Sequence, residues 1–210
     1  MDIFLLRTPE KLTWAEISGY MGCIDKPRQA AVNRKANDGD KINALLSRLL
    51  VLSEITRRTE LPERKIRFTK GRFGKPYLKD SGLHFSLSHT NGAVCAAFCE
   101  GDEIGVDVER RDRRISEAMY RRVLSEEERF HATSDTDFIR FWVQKEAFLK
   151  RLGVGISRDL RGVNSFELPD TTVIDCGELF VGASGKGALE AGVSELTLDE
   201  LLGRYTKLLK

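Results

Sequence analysis

The chain has 210 residues, with 34 Lys and Arg against 32 Asp and Glu and a formal charge of +2, too small to coat a polyanion. Hydrophobic residues make up 41% and charged residues 31%, which describes an ordinary globular protein long enough for one or two cores. No apolar run approaches the roughly 18 residues of a membrane span, and Met1–Arg7 has neither the basic head nor the apolar length of a secretory leader.

Ile3–Leu6 reads as a first strand. Residues 40–57 place Ile42, Leu45, Leu46, Leu49, Leu50, Leu52 and Ile55 at helical spacing, with Asp40 as the N-cap. Residues 83–88, 93–99 and 103–109 read as three consecutive strands, the last two joined by the turn Glu100-Gly101-Asp102. Helical patterns follow over 115–131 and 135–152. In the second, Phe138, Phe141, Trp142, Phe148, Leu149 and Leu152 recur near every 3.6 residues, and Gly153-Val154-Gly155 stops it. Weaker strand signals lie at 163–167, 171–175 and 178–183. A flexible loop is expected over 183–192 and a final helix near 197–208. Four cysteines (Cys23, Cys95, Cys99, Cys176) show no C-x-x-C spacing, and with three histidines a zinc site is not expected. Free thiols in a reducing cytoplasm are the simplest account.

Two acidic segments carry the chemistry. In Gly105-Val106-Asp107-Val108-Glu109, Ile104, Val106 and Val108 alternate with Gly105, Asp107 and Glu109. A strand would bury the first set and stand the two carboxylates side by side on the other face. Adjacent carboxylates repel unless a positive charge lies between them, and a hard divalent cation such as Mg2+ suits carboxylate oxygens. Gly105 would let a ligand approach the backbone. About forty residues on, Trp142, Glu146 and Lys150 form one stripe of a helix, which by itself reads as an ordinary i,i+4 ion pair and gains a functional reading only from the acidic strand upstream.

G-V-D-V-E followed by W-x-x-K-E-A-x-x-K (residues 142–150) resembles the signature of 4′-phosphopantetheinyl transferases. Gly74-Lys75-Pro76 resembles that family's G-K-P segment. Phe85-Ser86-Leu87-Ser88-His89-Thr90 resembles its F-N-x-S-H-S segment, with Ser86 and Thr90 as departures. The four blocks stand in the family's order over residues 74–150, and the chain's length matches the larger, pseudo-dimeric class. The resemblance implies an α/β (α+β) fold of two similar halves, 1–101 and 102–210, with the active site at their interface.

It also implies transfer of the 4′-phosphopantetheine arm of coenzyme A to a serine of an apo acyl or peptidyl carrier protein, with release of 3′,5′-ADP. Mg2+ would be held by Asp107, Glu109 and Glu146. Glu146 or a metal-bound water would take the serine proton, and Lys150 and Lys145 would stabilise the departing group. Lys75, Pro76, Ser88, His89 and Arg28 would contact coenzyme A, although without the resemblance His89 reads as a turn cap before a phosphate contact. Asn43 stands where a basic 3′-phosphate contact is expected. Gly71-Arg72-Phe73-Gly74-Lys75 is not a P-loop: the G-x-x-x-x-G-K-[ST] spacing is missing and Pro76 follows the lysine.

Arg110, Arg111, Arg113 and Arg114 follow the acidic strand and could steer an acidic carrier protein. No aromatics interleave them, so base stacking has no platform and nucleic acid is not an expected partner; nor is a membrane. The enzyme is expected to be a cytoplasmic monomer. A carrier-binding relative without activity and another Mg2+-dependent diphosphate transferase remain the alternatives.

Overall fold

The computed structural model describes residues 1–155 and 160–206. In chain order they form β1 (Asp2–Arg7), α1 (Trp14–Ile17), α2 (Lys26–Asn33), α3 (Asp38–Thr59), β2 (Phe68–Lys70), β3 (Pro76–Leu78), β4 (Leu83–Thr90), β5 (Ala93–Glu100), β6 (Gly105–Arg110), α4 (Glu117–Val123), α5 (Glu126–His131), α6 (Asp135–Leu152), β7 (Thr171–Cys176), β8 (Leu179–Ser184), β9 (Val193–Leu196) and α7 (Leu198–Gly203). One sheet runs β4-β5-β1-β9, a second β6-β8-β7, and β2-β3 form a separate hairpin. Pairing is antiparallel except between β1 and β9.

Strand alternation sets the layers. On β1 and β5, Leu6, Val94, Ala96 and Phe98 face α3, where Leu45, Leu46, Leu49 and Leu50 complete a core. The intervening residues Ile3, Leu5, Cys95 and Ala97 face the second sheet and pack on Val106, Val108, Val181 and Ala183. On the far side of that sheet, Phe180 meets Phe138, Ile139 and Val143 of α6. The order is helix, sheet, sheet, helix: an α/β fold of two similar halves, each a long helix laid on an antiparallel-rich sheet.

Several sequence expectations are corrected. The N-cap of α3 is Asn37, whose side chain accepts from Asp40 N at 2.8 Å. The helix expected over 115–131 breaks at Leu124, because Ser125 and Glu128 form a capping box that starts a new helix. Residues 163–167 hold a 3-10 turn, Ser165–Glu167, with Asn164 capping it by accepting from Phe166 N.

In the expected loop 183–192, Ala183 and Ser184 belong to β8 and Ala188 is fully buried. Val193–Leu196 is a strand that four residues of mixed character did not announce. The last helix ends at Gly203; positions 207–208 of the expected span lie outside the described residues. The division at residue 102 separates the two sheets, but the chain returns across it. β9 pairs with β1, and Tyr205 donates its hydroxyl to Leu49 O at 2.6 Å within the first core.

Candidate active site

β6 and α6 build the centre. Helix and sheet touch without intervening side chains at Gly105 and Gly182, so the ligand expected at Gly105 is displaced by the backbone of α6 itself. This close approach brings Lys150 Nζ to 2.6 Å from Asp107 Oδ1. Ser88, from β4, donates to the same oxygen at 2.7 Å. Glu146 stands one helical turn before Lys150. It is 5% exposed, and its Oε1 is buried with no hydrogen-bond partner. Burial, then the charge of Asp107, pushes its carboxyl up to about 7, against the opposing pull of Lys150.

Glu109, the third expected cation ligand, makes other bonds in this structure. Glu109 Oε1 accepts from Thr90 Oγ1 at 2.5 Å and from Arg110 N at 2.9 Å, and its Oε2 pairs with Arg113. Among the described residues, no group of three His, Cys, Asp or Glu side chains is gathered for a metal ion. The donor set still fits Mg2+. Two carboxylates lie close enough to perturb one another, and one has an unpartnered buried oxygen. Mg2+ commonly takes one or two carboxylates and fills its octahedron with water and phosphate oxygens.

A cleft of about 1790 Å³ opens beside this centre and reaches Lys150. Its walls carry Arg28, Arg34, Arg48, Arg67 and Lys70. Arg48 lies over the Phe68 ring, 3.9 Å from the centroid, and pairs with Asp25 at 2.7 Å. Arg28 also lines the cleft, with a buried Nε that has no partner. Such a surface suits an anion of several phosphates with an apolar or ring portion.

The sequence has relatives that match this arrangement. A family profile described as the 4′-phosphopantetheinyl transferase superfamily matches residues 103–200, and a second, described as 4′-phosphopantetheinyl transferase, N-terminal, matches residues 9–100. The 4′-phosphopantetheinyl transferase Sfp of Bacillus subtilis (strain 168) is 30% identical over 187 residues, 81% of this chain and 83% of the relative. The chain belongs to the 4′-phosphopantetheinyl transferase superfamily. Within it, the two-half plan is that of the larger, Sfp-type class. Two further relatives are the L-aminoadipate-semialdehyde dehydrogenase-phosphopantetheinyl transferase of Candida glabrata and the gsp transferase of Aneurinibacillus migulanus. The first is 35% identical over 65% of this chain and 57% of its own length; the second is 24% identical over 74% and 67%.

The transferase places the remaining candidates unevenly. Lys145 is turned away from the centre: fully buried, it donates to Val123 O at 2.7 Å and Leu160 O at 2.9 Å and pairs with Glu128. Burial raises the Glu128 carboxyl, but bonds from Lys145 and Ser165 win and hold it below its ordinary value. A lysine adjacent to Glu146 in sequence points elsewhere because neighbours on a helix are 100° apart.

Lys75 and Pro76 line the cleft, but the Lys75 ammonium is spent on Glu103, Ile104 O and Arg151 O, the last two at 3.0 Å. Lys75 thus clasps the β2-β3 hairpin to the ends of β6 and α6, and burial pushes its pKa down. His89 is exposed at the end of β4; desolvation, then the charges of Lys150 and Lys35, lower its pKa. Asn43 donates to Thr90 O at 3.2 Å and ties α3 to β4.

Of the four arginines at the end of β6 and just beyond it, Arg110 pairs with Asp112, Arg111 with Asp175 and Arg113 with Glu109. Arg114, its side chain 96% exposed, meets Asp135 only at 3.9 Å. Sequence reading missed the structural part of the hydroxyl row Ser86, Ser88 and Thr90, which meets Val106 N, Asp107 and Glu109 in turn. Its signal was present: these positions alternate with Phe85 and Leu87, so one polar face of β4 was due to meet something polar.

No helix among the described residues is long and apolar enough to cross a membrane.

Proposed function

We propose that this transferase moves the 4′-phosphopantetheine arm of coenzyme A to the serine hydroxyl of an apo acyl or peptidyl carrier protein, with Glu146, Asp107 and Lys150 as the working groups. The observation that carries the assignment of roles is the buried, unpartnered Glu146 Oε1 beside Asp107 and Lys150, next to a basic cleft.

Asp107 and Glu146 would hold Mg2+. When bound, the cation neutralises charge on the diphosphate of coenzyme A. Glu146 receives the serine proton as the serine oxygen attacks the phosphorus that carries the pantetheine arm. Its buried Oε1, which has no hydrogen-bond partner, is the oxygen open to that proton. The bond from that phosphorus to the bridging oxygen breaks, and 3′,5′-ADP departs. Lys150, part-exposed and already donating at 2.6 Å to Asp107, supplies positive charge to the departing phosphate. Arg28, Arg34, Arg48 and Arg67 hold the nucleotide phosphates by charge-assisted hydrogen bonds. Arg114, its side chain 96% exposed and paired with Asp135 only at 3.9 Å, presents the guanidinium that an acidic carrier protein would meet first. With both halves in one chain, a monomer contains the whole site.

The test is intact-mass analysis of an apo carrier protein incubated with this protein, coenzyme A and Mg2+, with an EDTA control. The expected result is a gain of about 340 Da on the carrier, the mass of the covalently transferred arm, that EDTA prevents. No gain on several unrelated carriers would overturn the reading.

A further inference from the structure

The wall of the cleft built by α2 and α3 is rich in donors without partners. Among the described residues, eight buried side-chain nitrogens and oxygens have no hydrogen-bond partner. Four of them, Arg28 Nε, Ser47 Oγ, Arg48 Nε and Thr56 Oγ1, belong to α2 or α3 residues that line this one cleft. Ser47 is the most buried of the four residues, at 2% exposed. A serine inside a helix ordinarily gives its proton to a carbonyl of the preceding turn. On the same helix Ser53 donates to Leu50 O at 3.0 Å, and Thr59 donates to Ile55 O at 2.8 Å. Ser47 makes no such bond. A buried hydroxyl left unpaired costs stability, and a ligand that brings an acceptor recovers that cost.

The surroundings decide which acceptor fits. Val51, one turn on from Ser47 and on the same face of α3, is 1% exposed and also lines the cleft. Ile24, Ile66 and Phe68 line it too and pack with the core that α3 completes. A phosphate at such a place would give up its water against apolar side chains, and the guanidinium groups of Arg28, Arg34 and Arg67 offer it a better seat in the same cleft. A flat heterocycle suits the wall: its face covers apolar surface, and a ring nitrogen takes one neutral donor. Adenine presents such bare ring nitrogens. We propose that Ser47 is a specificity-determining residue of this transferase, its hydroxyl donating to a ring nitrogen of the coenzyme A adenine laid against α3 beside Val51. The inference rests on the proposed function and deepens it by seating one part of the donor substrate.

The experiment uses the full-length protein and isothermal titration calorimetry with two probes. One is 3′,5′-ADP, the departing product; the other is ribose 3,5-bisphosphate, which keeps both phosphates and lacks the base. Ser47→Ala is expected to bind 3′,5′-ADP about five- to tenfold more weakly, the worth of one hydrogen bond, and ribose 3,5-bisphosphate within about twofold of wild type. Because Ser47 Oγ has no partner in the free protein, the melting temperature of Ser47→Ala without ligand should equal that of wild type or exceed it. A serine that served only the fold would do the opposite, lowering the melting temperature and leaving affinity unchanged. Ser47→Cys keeps the volume with a much weaker donor and should repeat the loss of affinity, which separates the hydroxyl from the shape of the wall.

Equal affinity of Ser47→Ala and wild type for 3′,5′-ADP would overturn the proposal. So would an equal loss for both probes, which would put Ser47 on a phosphate or on the ribose, or failure of wild type to bind 3′,5′-ADP. The wild-type carrier assay is run in parallel. Transfer by a protein whose Ser47→Ala variant binds 3′,5′-ADP normally sinks this inference alone, whereas absence of transfer sinks the function.

Discussion

A Cβ on Gly105 would lie 1.8 Å from the carbonyl oxygen of Ala147, so β6 and α6 meet backbone to backbone where Asp107 and Glu146 face one another. Gly182 repeats the close approach on β8, where an added Cβ would lie 2.1 Å from Val143 O. The obstructing atoms belong to a helix backbone and cannot swing aside. Gly105→Ala should therefore cost about 3 kcal/mol or more, above the usual range for an overpacked core. Urea unfolding at constant slope checks this. A wild-type midpoint would mean that the helix rides higher on the sheet than described.

Glu146 gives the cation-free enzyme a pH signature. Its carboxyl is pushed from an ordinary 4.5 up to about 7. Between those values the folded state holds a proton that the unfolded chain has released, so stability falls as pH rises through this window and levels off above it. Glu146→Gln removes the titration. It should leave stability unchanged at pH 4.5 and raise it by about 1–3 kcal/mol at pH 8 relative to wild type. Denaturant midpoints for both proteins in EDTA at the two pH values decide the matter; equal differences at both would show that Glu146 ionises normally.

Lys145 and Glu128 should matter to stability and not to chemistry. The pair is fully buried, and Lys145 also satisfies the carbonyls of Val123 and Leu160. Removing one partner strands a charge, so Lys145→Met should cost about 3–5 kcal/mol, with Lys145→Met/Glu128→Gln recovering part of it. Below its melting temperature the single variant should keep its kcat for carrier modification. A loss of kcat in fully folded protein would return Lys145 to the reaction.

These contrasts show where the sequence was legible. The long helices were readable because each buries one continuous stripe: Asp135–Leu152 was read to the residue, and α3 within two residues at each end. Asp107, Glu146 and Lys150 were legible because strand and helix periods put them on definite faces. Pairings between elements were not legible. Nothing local says that β6 abandons β5 for β8, or that Val193–Leu196 crosses back to β1. The same gap hid the grip on Glu109: Thr90 is nineteen positions upstream, and only the meeting of β4 and β6 joins them. Lys145 was misread for the opposite reason, since adjacency to Glu146 in sequence placed it on another face of α6.

Asp107 is the sharpest single test of the centre. It is 6% exposed, and both of its bonds fall on Oδ1. Asp107→Asn keeps the shape and an oxygen for Ser88 while removing the charge. Lys150, whose side chain is 29% exposed, loses its partner but can turn to water. The stability cost should stay near 1 kcal/mol, as for other pairs with one wet member. Transfer should suffer far more, by about 10²–10³ in kcat, because charge stabilisation at the reacting phosphate is the main contribution such a centre makes. Initial rates across a Mg2+ titration, alongside a thermal melt, measure both quantities. A variant that keeps a tenth or more of wild-type kcat at saturating Mg2+ would remove Asp107 from the centre, whatever its melting temperature.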